Sequence, residues 1–351
     1  MTNVMLAIMR FALLSLLCLP LFAPAAPTVT PEFLAEALKR YPDADANKDG
    51  TLTLAEGQAY LQKMRNRKAA ASSKSGLQPT QADIAYGPHE RNKLDFWKAP
   101  SEKPTPIVVF IHGGGFVGGD KTSWRGNPLV KQLLDKGVSC AAINYRFRDH
   151  APIQDILRDA ARAVQFLRHK AGDFNIDKTH IAAMGGSAGA GTSLWLTTRD
   201  DLADPNSSDP VLRESSRVVA CVLNATQATY DITRWESFLG KADPAWARPN
   251  EGPAFYGFKD LDELASETAK PILRECDMLS WISKDDGPVF CTVNQPDGPV
   301  RDRGHWLHHP KHAEEIHKVC TSTGVPCTVA RDGKEDALAF LLKNLTPAGA
   351  E

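Results

Sequence analysis

Between residues 83 and 345 short apolar runs alternate with stretches of helical period, and this alternation constrains the fold more than any other feature of the chain. A parallel pair of strands needs a crossover of a dozen or more residues, usually a helix. Strands and helices in alternation therefore predict a mostly parallel sheet covered on both faces. The predicted strands are residues 106–111, 138–145, 180–184, 218–223, 289–293 and 327–330. Residues 153–171 carry the 3.6 period, with Ile156, Leu157, Ala160, Val164 and Leu167 on one face, and residues 335–345 form the closing helix. The fold class is α/β.

Composition narrows the function classes. The 351 residues include 41 Lys+Arg against 42 Asp+Glu, so the basic excess of a nucleic-acid binder is missing. At 42% hydrophobic residues the chain can bury a core, which a disordered chain cannot. Near the start, Arg10 precedes an apolar run from Phe11 to Phe22 that Pro20 interrupts, and Ala23-Pro24-Ala25 follows. A run this short before small residues reads as a signal peptide over residues 1–25, not as a membrane span. A secreted or periplasmic protein with no stable membrane insertion after cleavage is expected. Beyond Cys18 there are six cysteines, none with C-x-x-C spacing, and Cys140, Cys221 and Cys291 lie in apolar runs as small buried hydrophobes.

Residues 28–68 form a separate unit. Asp45, Asn47, Asp49, Thr51 and Glu56 stand at positions 1, 3, 5, 7 and 12 of a twelve-residue loop, with Gly50 at position 6 and Leu52 at position 8. Ca²⁺ takes 6–8 hard oxygen ligands. Alternate residues of a tight loop can supply them, the seventh through its backbone carbonyl, and glycine permits the turn. Thr53 adds an oxygen, directly or through water. Thr30-Pro31 starts a helix whose Phe33, Leu34 and Leu38 share a face, and Tyr60, Leu61 and Met64 mark a second one, ending in a basic run at 63–68. The unit resembles an EF-hand, which implies a bound Ca²⁺ with a structural or docking role. Residues 69–82, small and polar, read as a linker to a domain over 83–347.

Two motifs fall at the ends of predicted strands. His112-Gly113-Gly114-Gly115-Phe116 follows the first, and Gly185-Gly186-Ser187-Ala188-Gly189 lies between a strand and the helical stretch 190–198. A serine on a sharp strand-to-helix turn exposes its hydroxyl above the sheet, and its neighbours must be small because the turn is crowded. The N–H groups of a glycine-rich loop together with that of Ala188 can meet a developing oxyanion. With these motifs, and with Asn144-Tyr145-Arg146 and Asn175-Ile176-Asp177, the chain resembles α/β-hydrolases of the carboxylesterase and lipase type from about residue 86 to 345. The resemblance implies hydrolysis of a carboxylic ester with Ser187 as nucleophile and Gly114, Gly115 and Ala188 as oxyanion donors. The substrate would be a small-molecule or polysaccharide ester.

The same resemblance places a triad acid after the strand 289–293. Asp297 is the first candidate, with Asp302 and Asp231 behind it. A histidine is expected after the last strand, but 331–336 contains none, and His317 is the last in the chain. The cluster His305, His308, His309 and His312 can supply a relocated base, assigned here to His309. Lys334 is an alternative base, and a non-catalytic domain that binds a ligand or partner in the same pocket is the alternative function.

Overall fold

The computed structural model describes residues 31–53, 56, 57, 59, 60, 76–243, 251–331 and 336–346. The signal peptide assigned to 1–25, Leu61, Met64, the basic run to 68, the linker as far as 75 and Lys334 lie outside the described residues.

Helix α1 (Pro31–Arg40) opens the N-terminal unit, and a 3₁₀ turn (Pro42–Ala44) follows. Leu34, Leu38, Tyr41 and Tyr60 pack around buried Ala37, Ala44 and Leu52, a small cluster of their own.

The main domain is built on eight strands: β1 (Gln81–Ala85), β2 (Lys93–Trp97), β3 (Thr105–Ile111), β4 (Ser139–Ile143), β5 (Ile176–Gly186), β6 (Cys221–Asn224), β7 (Val289–Thr292) and β8 (Cys327–Ala330). They form one sheet in the order β1-β2-β4-β3-β5-β6-β7-β8. Only β1–β2 and β2–β4 pair antiparallel; the rest of the sheet is parallel. The main helices are α2 (Pro128–Asp135), α3 (Ile153–His169), α4 (Ala188–Thr198), α5 (Lys311–Thr323) and α6 (Ala337–Leu345). Side chains of a strand alternate between faces, and β3 shows the consequence. Ile107, Val109 and Ile111 join a core with α3, α4 and α5, while Val108 and Phe110 join a second with α2 and α6. Among the described residues no helix is long and apolar enough to cross a membrane. The six described cysteines are free thiols, with Cys140, Cys221 and Cys291 buried on strands.

Two strands have no counterpart among the predicted runs. The linker boundary at 82 cuts through β1, which begins at Gln81. The neighbouring β2 reads as polar because Asp95 interrupts it, yet that carboxylate is fully buried. Lys121 Nζ donates to Asp95 Oδ1 at 2.7 Å, and Arg125 Nη2 to Oδ2 at 2.7 Å. Lys121, itself 3% exposed, also pairs with Asp83 of β1 at 2.8 Å. A buried charge is tolerable when paired and hydrogen-bonded, and here the pairing fastens the antiparallel edge to the parallel sheet. Removing one partner leaves the other charged and buried, which costs about 3–5 kcal/mol. Asp95→Ala is therefore expected to lower the unfolding free energy by that amount in urea titration. A loss under about 1 kcal/mol would show that the edge does not depend on the pair.

Candidate active site

At the end of β5 the chain turns sharply into α4, and Ser187 stands at the turn with φ 52° and ψ −120°. Such a conformation is strained for any residue with a Cβ. Here it is held from both sides. The Ser187 N–H donates to Asn224 at the end of β6 at 2.9 Å, and the Ser187 carbonyl accepts from Ala190 and Gly191. The helix that follows is buried along its whole length, which keeps the serine from drifting. A Cβ on Gly189 would sit 2.0 Å from the Ile111 carbonyl oxygen, so only glycine lets α4 cross the end of β3.

The loop after β3 lies against this turn. A Cβ on Gly113 would come within 2.6 Å of the Gly186 carbonyl oxygen and 3.4 Å of the Ser187 Cβ. Gly114 and Gly115 both have positive φ, and Val117 N–H closes a turn onto the Gly114 carbonyl at 3.1 Å. Phe116 anchors the loop among Tyr145, Tyr230 and Phe255, with ring centroids 5.4–6.0 Å away. Among the described residues the N–H groups of Gly114, Gly115 and Ala188 donate to no protein acceptor. His112 supports the loop from beneath: its Nδ1 donates to Gly113 at 2.8 Å and its ring stacks on Tyr145. Burial pushes its pKa down to about 4, so it is neutral near pH 7.

The four clustered imidazoles part company here. His305 donates from Nε2 to Pro296 at 2.8 Å and accepts the Arg301 N–H on Nδ1. His309, the residue assigned from sequence as the base, donates from Nε2 to Gly298 at 2.8 Å and accepts from Lys311 on Nδ1. With both nitrogens bound to backbone, it is not at the serine. His312 is likewise engaged with Trp306 and Ala228, and burial lowers its pKa to about 3. His308, which caps the short helix Arg303–Leu307, reaches Ser187 instead: its Nε2 lies 3.4 Å from Ser187 Oγ. Catalytic hydrogen bonds are often this long without substrate and shorten when it binds. The His308 pKa is lowered by burial, opposed by a hydrogen bond to the Ala225 carbonyl.

No candidate carboxylate meets His308. Asp297 is 66% exposed and bound to Arg331 at 2.8 Å. Asp302 caps the helix Arg303–Leu307 by accepting the His305 N–H, and Asp231 accepts from Thr233. The nearest neighbours of His308 Nδ1 are the Ala225 carbonyl at 2.9 Å and the Gln227 amide nitrogen at 3.1 Å. Sequence reading missed both, since neither residue type announces a role beside a base. Tyr230 was missed too; its hydroxyl donates to the Ala188 carbonyl at 2.5 Å and fixes the first turn of α4.

In the N-terminal unit, Asp45 accepts from Lys48 and Gly50 N–H, Asn47 from Asp49, and Asp49 from Thr51. Glu56 accepts from Thr53 and reaches back to the N–H groups of Ala46 and Asn47. The last position of the loop thus meets the backbone of the second and third, and the side chains concerned carry hard oxygen donors of the kind calcium takes. Among the described residues no three His, Cys, Asp or Glu side chains stand together as a ready metal-holding group.

The profile of the BD-FAE family matches residues 94–301. A probable isoprenylcysteine alpha-carbonyl methylesterase of Arabidopsis thaliana is 38% identical over 108 residues, covering 30% of this chain and 25% of that protein. A probable carboxylic ester hydrolase, LipM, of Mycobacterium tuberculosis is 33% identical over 163 residues, covering 45% and 36%. The matched segments thus span about a quarter to a third of these relatives' length. Among solved structures, an acetyl ester-xyloside bifunctional hydrolase from Caldicellulosiruptor lactoaceticus aligns with TM-score 0.54 and 21% identity over 73% of this chain and 86% of its own. A truncated carbohydrate esterase from gut microbiota aligns with TM-score 0.58 and 16% identity over 77% and 98%. At these identities the structural likeness speaks for the fold.

The buried neutral imidazoles carry a consequence for stability. His112 and His312 bind a proton near pH 6.5 when unfolded but only near 4 and 3 when folded. The unfolded state therefore holds more protons below pH 6.5, and stability is lost as pH falls through that window. Each ring contributes a slope of about 1.4 kcal/mol per pH unit once fully protonated in the unfolded chain. Urea unfolding followed from about pH 7.5 to 5 is expected to show this steep decline; a flat profile would mean that neither ring is buried in neutral form.

Proposed function

Because the chain belongs to the BD-FAE family, whose fold is of the α/β-hydrolase type, we propose that it is a serine carboxylic-ester hydrolase. The single observation that carries this reading is the 3.4 Å approach of His308 Nε2 to Ser187 Oγ. Ser187 Oγ attacks the ester carbonyl carbon as its proton passes to His308 Nε2. The oxyanion that forms is met by the N–H groups of Gly114, Gly115 and Ala188 at the mouth of α4. When the C–O bond to the alcohol breaks, the proton on Nε2 goes to the departing oxygen, leaving an acyl ester on Ser187. Water, deprotonated by the same nitrogen, then attacks the acyl-serine and releases the acid. A nitrogen base within reach of the serine weighs against the non-catalytic alternative.

The substrate class in this reading is a small acyl ester of a sugar. The solved structures named for acetyl ester-xyloside and carbohydrate ester hydrolysis support it. Export follows in the same reading from the signal-peptide pattern of residues 1–25. The loop 45–56 is taken to hold Ca²⁺ through Asp45, Asn47, Asp49, Thr51 and Glu56, where the ion would brace the N-terminal unit. Its support is the spacing of oxygen donors and the reach of Glu56 back to the backbone of Ala46 and Asn47.

Hydrolysis of p-nitrophenyl acetate tests the enzyme. Ser187→Ala is expected to fall to the buffer rate, and His308→Ala to lose on the order of 10⁴ in kcat or more. His309→Gln should stay within about threefold of the parent. Since His308 acts as a neutral base and its pKa is lowered, activity should decline only as pH falls through a midpoint below 6.5. Equal rates for Ser187→Ala and the parent would end the reading.

Calcium is tested separately. With a Kd of about 10⁻⁴–10⁻³ M, 10 mM Ca²⁺ should stabilise the N-terminal unit by about 1.4–2.7 kcal/mol. The shift should vanish in Glu56→Gln. A melting curve indifferent to Ca²⁺ would remove the ion from the account.

A further inference from the structure

Resting on the assignment of His308 as base, we propose that the backbone carbonyl of Ala225, held in place by the Gln227 amide, does the orienting work that a carboxylate does in a serine triad. His308 Nδ1 lies 2.9 Å from that carbonyl, and a carbonyl oxygen can only accept. Nδ1 therefore carries the proton, and the lone pair is on Nε2, the nitrogen that faces Ser187 Oγ. His305, His309 and His312 all place their proton on Nε2 instead, because each donates from that atom to a backbone carbonyl. His308 is the member of the cluster with the tautomer a general base needs.

Gln227 is a positioning residue. Its amide nitrogen donates to the Leu307 carbonyl at 2.7 Å and lies 3.1 Å from His308 Nδ1. Turning the amide over would bring two oxygens face to face at Leu307, so that carbonyl fixes the orientation. With Nδ1 protonated, the nitrogen-to-nitrogen contact is packing, and the bond to Leu307 is the one that holds. The loop 225–228 is thereby stitched to the segment 306–312 at three points: Ala225 to His308, Gln227 to Leu307 and Ala228 to His312. Ala225 takes a positive φ of 49° to aim its carbonyl, a conformation uncommon for a residue with a Cβ and typical of functional turns.

Among the described residues, the titratable group that couples to His308 is the imidazole of His312. On the segments that pack against it, Asp231 and Asp302 are occupied as caps, and Asp277 is bound to Thr229, Arg234 and Ser280. The imidazolium formed during the reaction is thus met at Nδ1 by a dipole and not by a charge.

Selective ¹⁵N labelling of histidine in the full chain reads the tautomer without any turnover. His308 is expected with its proton on Nδ1; a proton on Nε2 would overturn the proposal. Gln227→Leu removes the donor to the Leu307 carbonyl and should lower kcat by about tenfold or more with KM little changed, as loss of a base's positioning does. Gln227→Glu, which sets an oxygen against the Leu307 carbonyl, should not restore the rate, and an unchanged kcat in the folded Gln227→Leu variant would count against Gln227. Asp297→Asn, Asp302→Asn and Asp231→Asn are each expected to keep kcat within about threefold. A loss approaching the roughly 10⁴ seen when a triad carboxylate is replaced by its amide would identify a hidden acid and defeat the proposal. If His308→Ala hydrolyses esters as fast as the parent, the base assignment fails by itself, while the tautomer and its carbonyl partner are still decided by the spectra.

Discussion

Where α4 crosses the end of β3, the backbone of Gly189 passes so near the Ile111 carbonyl that a Cβ would stand 2.0 Å from it. That crossing sets the height of the turn at Ser187, and the turn sets which backbone N–H groups face the space above it. Gly113 makes the complementary approach from the other side, against Gly186. Neither contact adds much cohesion. Each removes alternatives, because a sheet packed on both faces cannot yield by an ångström to admit a methyl group. Ser187 can hold a conformation that costs free energy only because β5, β6 and a fully buried helix determine it from three directions.

The same economy of space governs the histidines. Within eight residues the chain places four imidazoles, and three of them serve as struts that satisfy backbone groups in loops with no regular ladder of their own. A buried loop must place its N–H and C=O groups somewhere, and a neutral imidazole offers one donor and one acceptor at fixed separation. His308 does this with one nitrogen only, bonding the Ala225 carbonyl through Nδ1 and leaving Nε2 toward Ser187. Its ring is left to bridge Ala225 and Ser187.

Much of this could be read from the chain, for physical reasons that differ by element. The strand-to-helix turn and the glycine loop were legible because they demand glycine whatever the partner: a Cβ on Gly113, Gly185 or Gly189 would strike backbone, and Gly114 and Gly115 have positive φ. The parallel strands were legible because a strand buried on both faces must be apolar throughout. By contrast, β2 was hidden by Asp95, whose partners Lys121 and Arg125 come from a turn some 26 to 30 residues away. The choice between His308 and His309 was hidden as well, since adjacent residues differ only in the direction their side chains leave the backbone. The carbonyl that meets His308 Nδ1 leaves no mark in the sequence at all, because every residue has one.

A base oriented by a dipole differs chemically from one oriented by a charge. A carboxylate beside Nδ1 stabilises the imidazolium and makes the ring a stronger base, which eases the first proton transfer from serine. A carbonyl stabilises the imidazolium less, and burial of His308 works in the same direction. The first transfer is then harder, but the imidazolium it yields is a stronger acid. Its second task is to give that proton to the departing oxygen, and a more acidic donor gives it up with more driving force. For an ester of a poorly leaving alcohol, such as a sugar hydroxyl, expulsion of the alkoxide is the demanding event, and a weakly held proton on Nε2 is best placed to assist it. On the reading proposed above, the Ala225 carbonyl shifts catalytic effort from taking the proton toward returning it.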